Sequence, residues 1–235
     1  MKGNGAKFSQ IILILGRMTK MYKKIMINDE DKTQDIKEIL MRLGISEDMI
    51  IRFSSVITIQ IYSAFVSRSD NIYRIGEEIL GLEGLSRRGK SSTKPATMFS
   101  RKPYLRGLWH KHYQGSTIAD LARNLQNALK SYSIPWLEEM VKEAKLAGEE
   151  REFSVEDVNR IAHEAVIVNY DRRSQENKLT GHWIIYAIHE GKNYYLMLAR
   201  HTDDESRIRK IIDDICIQEY PFLNSILVPI EKNRE

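Results

Sequence analysis

The chain has 235 residues, 42% of them apolar and 29% charged, a balance that supports an ordinary packed core and excludes a low-complexity or fibrous protein. Its single cysteine, Cys216, excludes an intramolecular disulfide and any zinc site built on several thiolates, and suits a reducing cytosol. The formal net charge is +4, yet eight lysines and arginines fall between Glu83 and Asp120, where no acid occurs, so the rest of the chain sums to −4.

The N-terminal apolar run FSQIILIL follows Lys2 and Lys7 and is followed at once by Arg17, Lys20, Lys23 and Lys24. It is too short for a membrane span, which takes about 20 apolar residues, and lacks a small-x-small cleavage site, so the expectation is a cytoplasmic protein without membrane contact. Residues 8–27 fit a helix with a basic exposed side. Thr33 is placed to cap a second helix, whose stripe is Ile36, Ile39, Leu40 and Leu43 and whose stop is Gly44. Ser46 opens another run in which Ile50, Phe53, Ile57, Ile61, Ala64 and Phe65 share a helical face, and a short helix over 69–82 follows. Residues 1–85 thus read as a helical unit.

Residues 86–115 read as a basic loop punctuated by Gly89, Pro95 and Pro103. Beyond it, Ile118, Leu121, Ala122, Leu125 and Leu129 form one helical stripe, Pro135 begins a further helix, and Ser154 caps a third with acids in its first turn. The period then changes: HWIIYAIHEGKNYYLMLARH holds two β-rich runs around a polar turn, a hairpin signal. A helix over Glu205–Glu219 follows, carrying Cys216 as an inert buried thiol, and 222–230 reads as an edge strand or tail. The expected class is α+β, a helical N-terminal unit followed by helices packed on a small antiparallel sheet, with 116–235 as the domain that carries the hairpin.

No GxSxG, HExxH or CxxC motif occurs. The basic segment is the nucleic-acid candidate: Arg101, Lys102, Arg106 and Lys111 supply charge for phosphates, and Tyr104, Trp109 and Tyr113 supply stacking faces for unpaired bases. His110 and His112 form an HxH pair with no carboxylate placed beside it, so no metal and no cofactor are expected. Arg123 and Asn124 read as helix-surface residues within reach of phosphate, Arg172, Arg173 and Lys178 as a small second basic cluster that extends a phosphate surface or solvates a loop, and His163, amid Ile161, Ala162 and Ala165, as a partly buried histidine. In the hairpin, a Gly191–Lys192 turn pairs Tyr194 with His189 and Met197 with Tyr186, and brings His201 opposite His182. Two imidazoles beside Arg200 supply a base, an acid and a cation, the parts needed to cleave RNA through its 2′-hydroxyl without metal. His110 and His112 are the second choice for that chemistry.

The stretch WIIYAIHEGKNYYLMLARH, followed by Thr202, Asp203 and Asp204, resembles the C-terminal hairpin of RelE/ParE-type bacterial toxins. The resemblance implies helices packed on a small antiparallel sheet and, for RelE-like members, metal-free RNA cleavage; ParE-like members act on other targets. It covers the hairpin alone and carries over Arg200 and His201 as site residues. The expectation is a prokaryotic endoribonuclease of toxin or phage-defence type, with RNA or single-stranded nucleic acid and an antitoxin or other protein as partners. The alternative is a non-catalytic nucleic-acid-binding or protein-interaction module, with the N-terminal helices as docking surface.

Overall fold

The computed structural model describes residues 24–86, 89, 91–101, 103–115, 117–148, 154–179 and 181–229. The helix expected over 8–27 lies largely outside them, and its end, Met26–Ile27, is instead a strand (β1) paired with Glu30–Asp31 (β2). Helix α1, Thr33–Arg42, starts one residue earlier than expected: Lys32 is its N-cap, and the Thr33 hydroxyl accepts from the Ile25 amide at 2.9 Å. Gly44, at φ +86°, ends it as predicted, in a backbone region that suits glycine.

The run after Ser46 is two helices. A single turn, α2 (Glu47–Ile50), breaks at Ile51–Phe53, and Ser54 caps α3 (Ser55–Ser67), accepting from the Ile57 amide. The break has a tertiary cause: the Tyr195 amide donates to the Arg52 carbonyl at 2.8 Å, and the Ser54 amide donates to the Tyr195 carbonyl at 2.9 Å. Extended backbone is needed there, and a continuous helix could not supply it. Helix α4, Ile72–Leu82, is capped by Asn71.

The basic segment is not a loop throughout. Thr97–Met98 (β3) and Trp109–Tyr113 (β4) join His182–His189 (β5) and Lys192–Ala199 (β6) in an antiparallel sheet of order β3-β4-β5-β6. Between β4 and β5 stand α5 (Ile118–Tyr132), α6 (Pro135–Ala147) and α7 (Val155–His163), the last running through a π turn at Glu164–Val168 into α8 (Asn169–Gln175). After β6 come α9 (Glu205–Ile211), a π turn at Ile212–Cys216, α10 (Ile217–Glu219) and α11 (Leu223–Ile226). Residues 222–229 form this last helical turn and an extended tail, with no edge strand among the described residues. The class is α+β.

Two cores sandwich the sheet. Tyr113, Ile184, Tyr186, Tyr195 and Leu198 pack against α1, α3 and α4. Trp183, Ile185, Ala187, Met197 and Ala199 face α9 and α11, where Cys216 is buried. The N-terminal helices therefore close their core against the sheet, not among themselves. The free edge of β6 is covered by α3: the Gln60 side chain donates to the Leu198 carbonyl and accepts from its amide, at 2.8 and 2.6 Å, in place of a neighbouring strand. No helix among the described residues is long and apolar enough to cross a membrane.

Candidate active site at the open end of the sheet

Hairpin register decides which histidines meet. The turn is Glu190–Gly191, both at positive φ as a two-residue turn of this hand requires, so His189 pairs with Lys192 rather than Tyr194. A bulge at Ile185/Tyr186 then shifts the ladder, giving Ile185–Met197 and Trp183–Ala199. At the open end the register is one residue from the expected one, and a one-residue slip exchanges faces. His201 consequently lies on the Trp183 face and His182 on the opposite one. The expected His182–His201 pair is not formed.

Two other imidazoles and two aromatic rings gather on the His201 side. His110 and His112 alternate along β4 opposite Ile185 and Trp183. His112 and His201 stack, with centroids 5.1 Å apart and planes at 24°, and His112 Nδ1 lies 3.4 Å from His201 Nε2. Trp183 meets His201 edge-on at 4.4 Å, and Phe99 stacks on His110 at 4.3 Å. His112 Nδ1 also lies 3.2 Å from the Gly181 carbonyl. Burial strips water from these rings and disfavours their charged forms: His110 is pushed down to about 4 and His112 to about 3. His201 is exposed as a residue, but its ring is half covered by the stack; lost hydration, then the charges of Arg123 and Lys94, push it down to about 4. All three are neutral at pH 7. Of the three, His112 is buried, His110 half-buried and His201 exposed, next to exposed Arg200.

His182, 6% exposed, points the other way. Its Nε2 lies 3.3 Å from Asp120 Oδ2, and Tyr113 packs edge-on against its ring at 5.6 Å. Asp120 is the N3 acid of a capping box with Thr117, whose hydroxyl donates to the same carboxylate at 2.6 Å. Burial pushes the Asp120 carboxyl up, but the Thr117 hydrogen bonds and the His182 charge outweigh it and hold the group below its usual range. Asp120 escaped the reading from sequence, although Thr117-x-x-Asp120 ahead of an apolar run was a legible helix-start signal. Gly115 and Gly181 belong with it. A Cβ at Gly181 would stand 1.8 Å from the Tyr113 carbonyl oxygen, and one at Gly115 would stand 2.2 Å from Asp120 Oδ2.

The nucleic-acid set divides. Arg101 and Arg106 are exposed and Tyr104 is half buried beside α9 and the C-terminal segment, where Arg209 donates to its carbonyl at 3.0 Å. Lys111, Trp109 and Tyr113 face the inner core. Lys111, 6% exposed, ion-pairs with Glu78 at 3.0 Å and donates to Ser91 Oγ and the Lys94 carbonyl, at 3.0 and 2.9 Å. Tyr113 is 4% exposed, and Trp109 packs against Tyr186. Strand alternation is the reason: Trp109, Lys111 and Tyr113 share the inner face of β4, and the histidines take the outer one. Lys102, with Arg87, Arg88 and Lys90 of the wider basic run, lies outside the described residues.

Residues 84–91 spell GLSRRGKS, the letters of a phosphate-binding loop. That loop works between a strand and a helix, whose N-terminus faces the phosphate. Here helix α4 precedes the segment and β3 is the next element after it among the described residues, so no helix N-terminus follows the motif. Gly89 and Ser91 instead line a cleft of about 430 Å³ with Arg74, Glu77, Glu78 and Lys111, whose charges balance. Among the described residues, no group of three or more histidine, cysteine or carboxylate side chains is placed to hold a metal ion. No family model, curated protein or solved structure matches this chain.

Proposed function

We propose that the protein is a metal-independent endoribonuclease of toxin or phage-defence type, acting at the open end of β4, β5 and β6. The observation that supports this reading is His201: an exposed, neutral imidazole stacked on buried His112, adjacent to Arg200 and within the field of Arg123 and Lys94. A neutral imidazole accepts the 2′-hydroxyl proton of RNA, the oxygen attacks the adjacent phosphorus, and cations stabilise charge gathering on the phosphoryl oxygens. The 5′-oxygen leaves with a proton drawn from water, because His182 is buried against Asp120 and does not reach a substrate. His112, Trp183 and Gly181 hold the His201 ring. Arg101 and Arg106 extend the phosphate track.

The low basicity of His201 favours the second reading, a nucleic-acid-binding module without catalysis. The two separate in one assay: incubation with a single-stranded RNA in EDTA, beside the deoxy analogue and the His201→Ala variant. Cleavage of the RNA alone, lost in the variant, supports the ribonuclease. Salt-sensitive binding of both strands without cleavage supports the module. Absence of binding at low salt removes both.

A further inference from the structure

Four lysine or arginine side chains are buried among the described residues: Arg52, Lys111, Arg173 and Arg209. Three follow one pattern. Arg52 pairs with Glu83 at 2.7 Å, Lys111 with Glu78 at 3.0 Å and Arg209 with Asp213 at 2.8 Å. Each of these also donates to a backbone carbonyl, of Asn193, Lys94 and Tyr104 in turn. Arg173, 6% exposed, is the exception. Its guanidinium donates no hydrogen bond and pairs with no carboxylate among the described residues, and its Nε is sealed from solvent. A charge buried without a partner is costly, so its retention points to a partner that the fold itself does not contain.

The surroundings of Arg173 indicate the chemistry of that partner. Helix α5 turns Asp120, Asn124 and Ala128 inward and leaves Ile118, Leu121 and Leu129 exposed, while α8 buries Asn169 and Arg173. The other polar side chains of this layer are satisfied. Asp120 has Thr117 and His182, Asn124 donates to the Asp120 carbonyl at 3.1 Å, and Asn169 donates to the Ser133 carbonyl at 2.7 Å. Asp171 is exposed and two residues away, a spacing that does not share a helix face. Glu176 is already taken, by Arg172 at 3.2 Å, Lys178 at 2.6 Å and the Tyr132 hydroxyl at 2.5 Å. Residues 172–178 thus hold three cations against one acid, an excess of two positive charges around a guanidinium without a partner. A phosphomonoester carries about −1.5 to −2 at pH 7, and its oxygens accept the two parallel bonds of a guanidinium fork. A carboxylate supplies one charge only. We propose that Arg173, flanked by Arg172 and Lys178, anchors a binding site for a phosphomonoester or free phosphate where α8 meets α5, built without His201.

Calorimetry of the full chain with inorganic phosphate at low salt tests it, beside acetate. Saturable phosphate binding is expected, with acetate at least about tenfold weaker. Arg173→Met should weaken phosphate binding about 100-fold, and phosphate should raise the urea midpoint of the wild type but not of this variant. Arg173→Lys keeps the charge without the fork, should bind about tenfold more weakly, and carries the test if Arg173→Met misfolds. His201→Ala should bind phosphate like the wild type, so this site and the ribonuclease reading stand or fall separately. Competition by a single-stranded RNA identifies the source. If a 5′-phosphorylated strand displaces phosphate about tenfold better than its 5′-hydroxyl twin, the ligand is an RNA end; displacement by neither assigns the site to free phosphate or a small phosphomonoester. Equal displacement by both strands, no phosphate binding, binding unchanged in the Arg173 variants, or binding lost in His201→Ala would overturn the proposal.

Discussion

Asp120 Oδ2 stands 3.3 Å from His182 Nε2, and Gly115 lies where a single methyl group would touch both, at 2.2 and 2.7 Å. A buried carboxylate, an imidazole and a missing side chain thus form one unit, tying the start of α5 to the start of β5. Gly115→Ala must push the pair apart. We expect a loss of about 1–3 kcal/mol in urea unfolding, the usual cost of overpacking. His182→Ala should lose more, because it leaves Asp120 buried without its partner. A neutral result for both would show that the pair does not support this end of the sheet.

Activity should separate His201 from His182. If His201 takes the 2′-hydroxyl proton, His201→Ala should lower the RNA cleavage rate about 10²–10⁴-fold with RNA affinity nearly unchanged. His182→Ala should reduce stability first, and any cleavage it retains should follow the folded fraction. Arg200→Ala should lower both rate and affinity, because a fixed cation meets phosphate in ground and transition states alike. Equal rates for His201→Ala and the wild type would place any chemistry elsewhere.

The pH profile carries the same assignment. His201 is neutral down to about pH 4, so cleavage should be flat through neutrality and fall only as pH drops through about 4. A limb centred near 6.5, the ordinary value for an imidazole, would mean that the base is a different group.

Stability should also respond to pH. The folded-state pKa of His112 is depressed to about 3, so its contribution is fully present above the unfolded value near 6.5 and is lost as pH falls from there toward 3. Between pH 7.5 and 5 that loss is about 2 kcal/mol for His112 alone. His110, also depressed, acts in the same direction. Denaturant titrations at the two pH values should show the fall, and His112→Phe should lessen it, with His110 and His201 keeping the rest.

Two kinds of basic residue sit in the basic segment, and substitution should tell them apart. Arg101→Ala with Arg106→Ala should weaken RNA binding and reduce its salt dependence by about one phosphate contact each, with little effect on folding. Lys111→Ala should do the opposite. It leaves half-buried Glu78 without its cation, held only by the Ser91 and Thr93 hydroxyls, at a cost of about 1–3 kcal/mol, and leaves affinity per folded molecule intact. Loss of affinity in folded Lys111→Ala would mean that the lysine reaches its ligand.

Local chemistry was legible in the chain itself. Pro135 and Ser154 start helices, Gly44 stops one, and the period change after residue 180 announces the hairpin, because caps, fixed φ angles and side-chain alternation act over a few residues. What joins distant segments was not. Whether residues 109–113 are loop or strand depends on β5 offering a ladder some seventy residues later, and only then does alternation send Lys111 inward and His112 outward. Which histidines meet depends on a turn shifted by one residue and a bulge at Ile185/Tyr186, neither of which leaves a periodic mark. The same holds for α5: its stripe was plain in the sequence, but the direction it faces was settled by Asp120, whose partner His182 lies 62 residues further along the chain. A buried contact between remote elements outranks the local hydrophobic pattern there, because leaving the Asp120 carboxylate without a polar partner in the interior would cost more than exposing three aliphatic side chains.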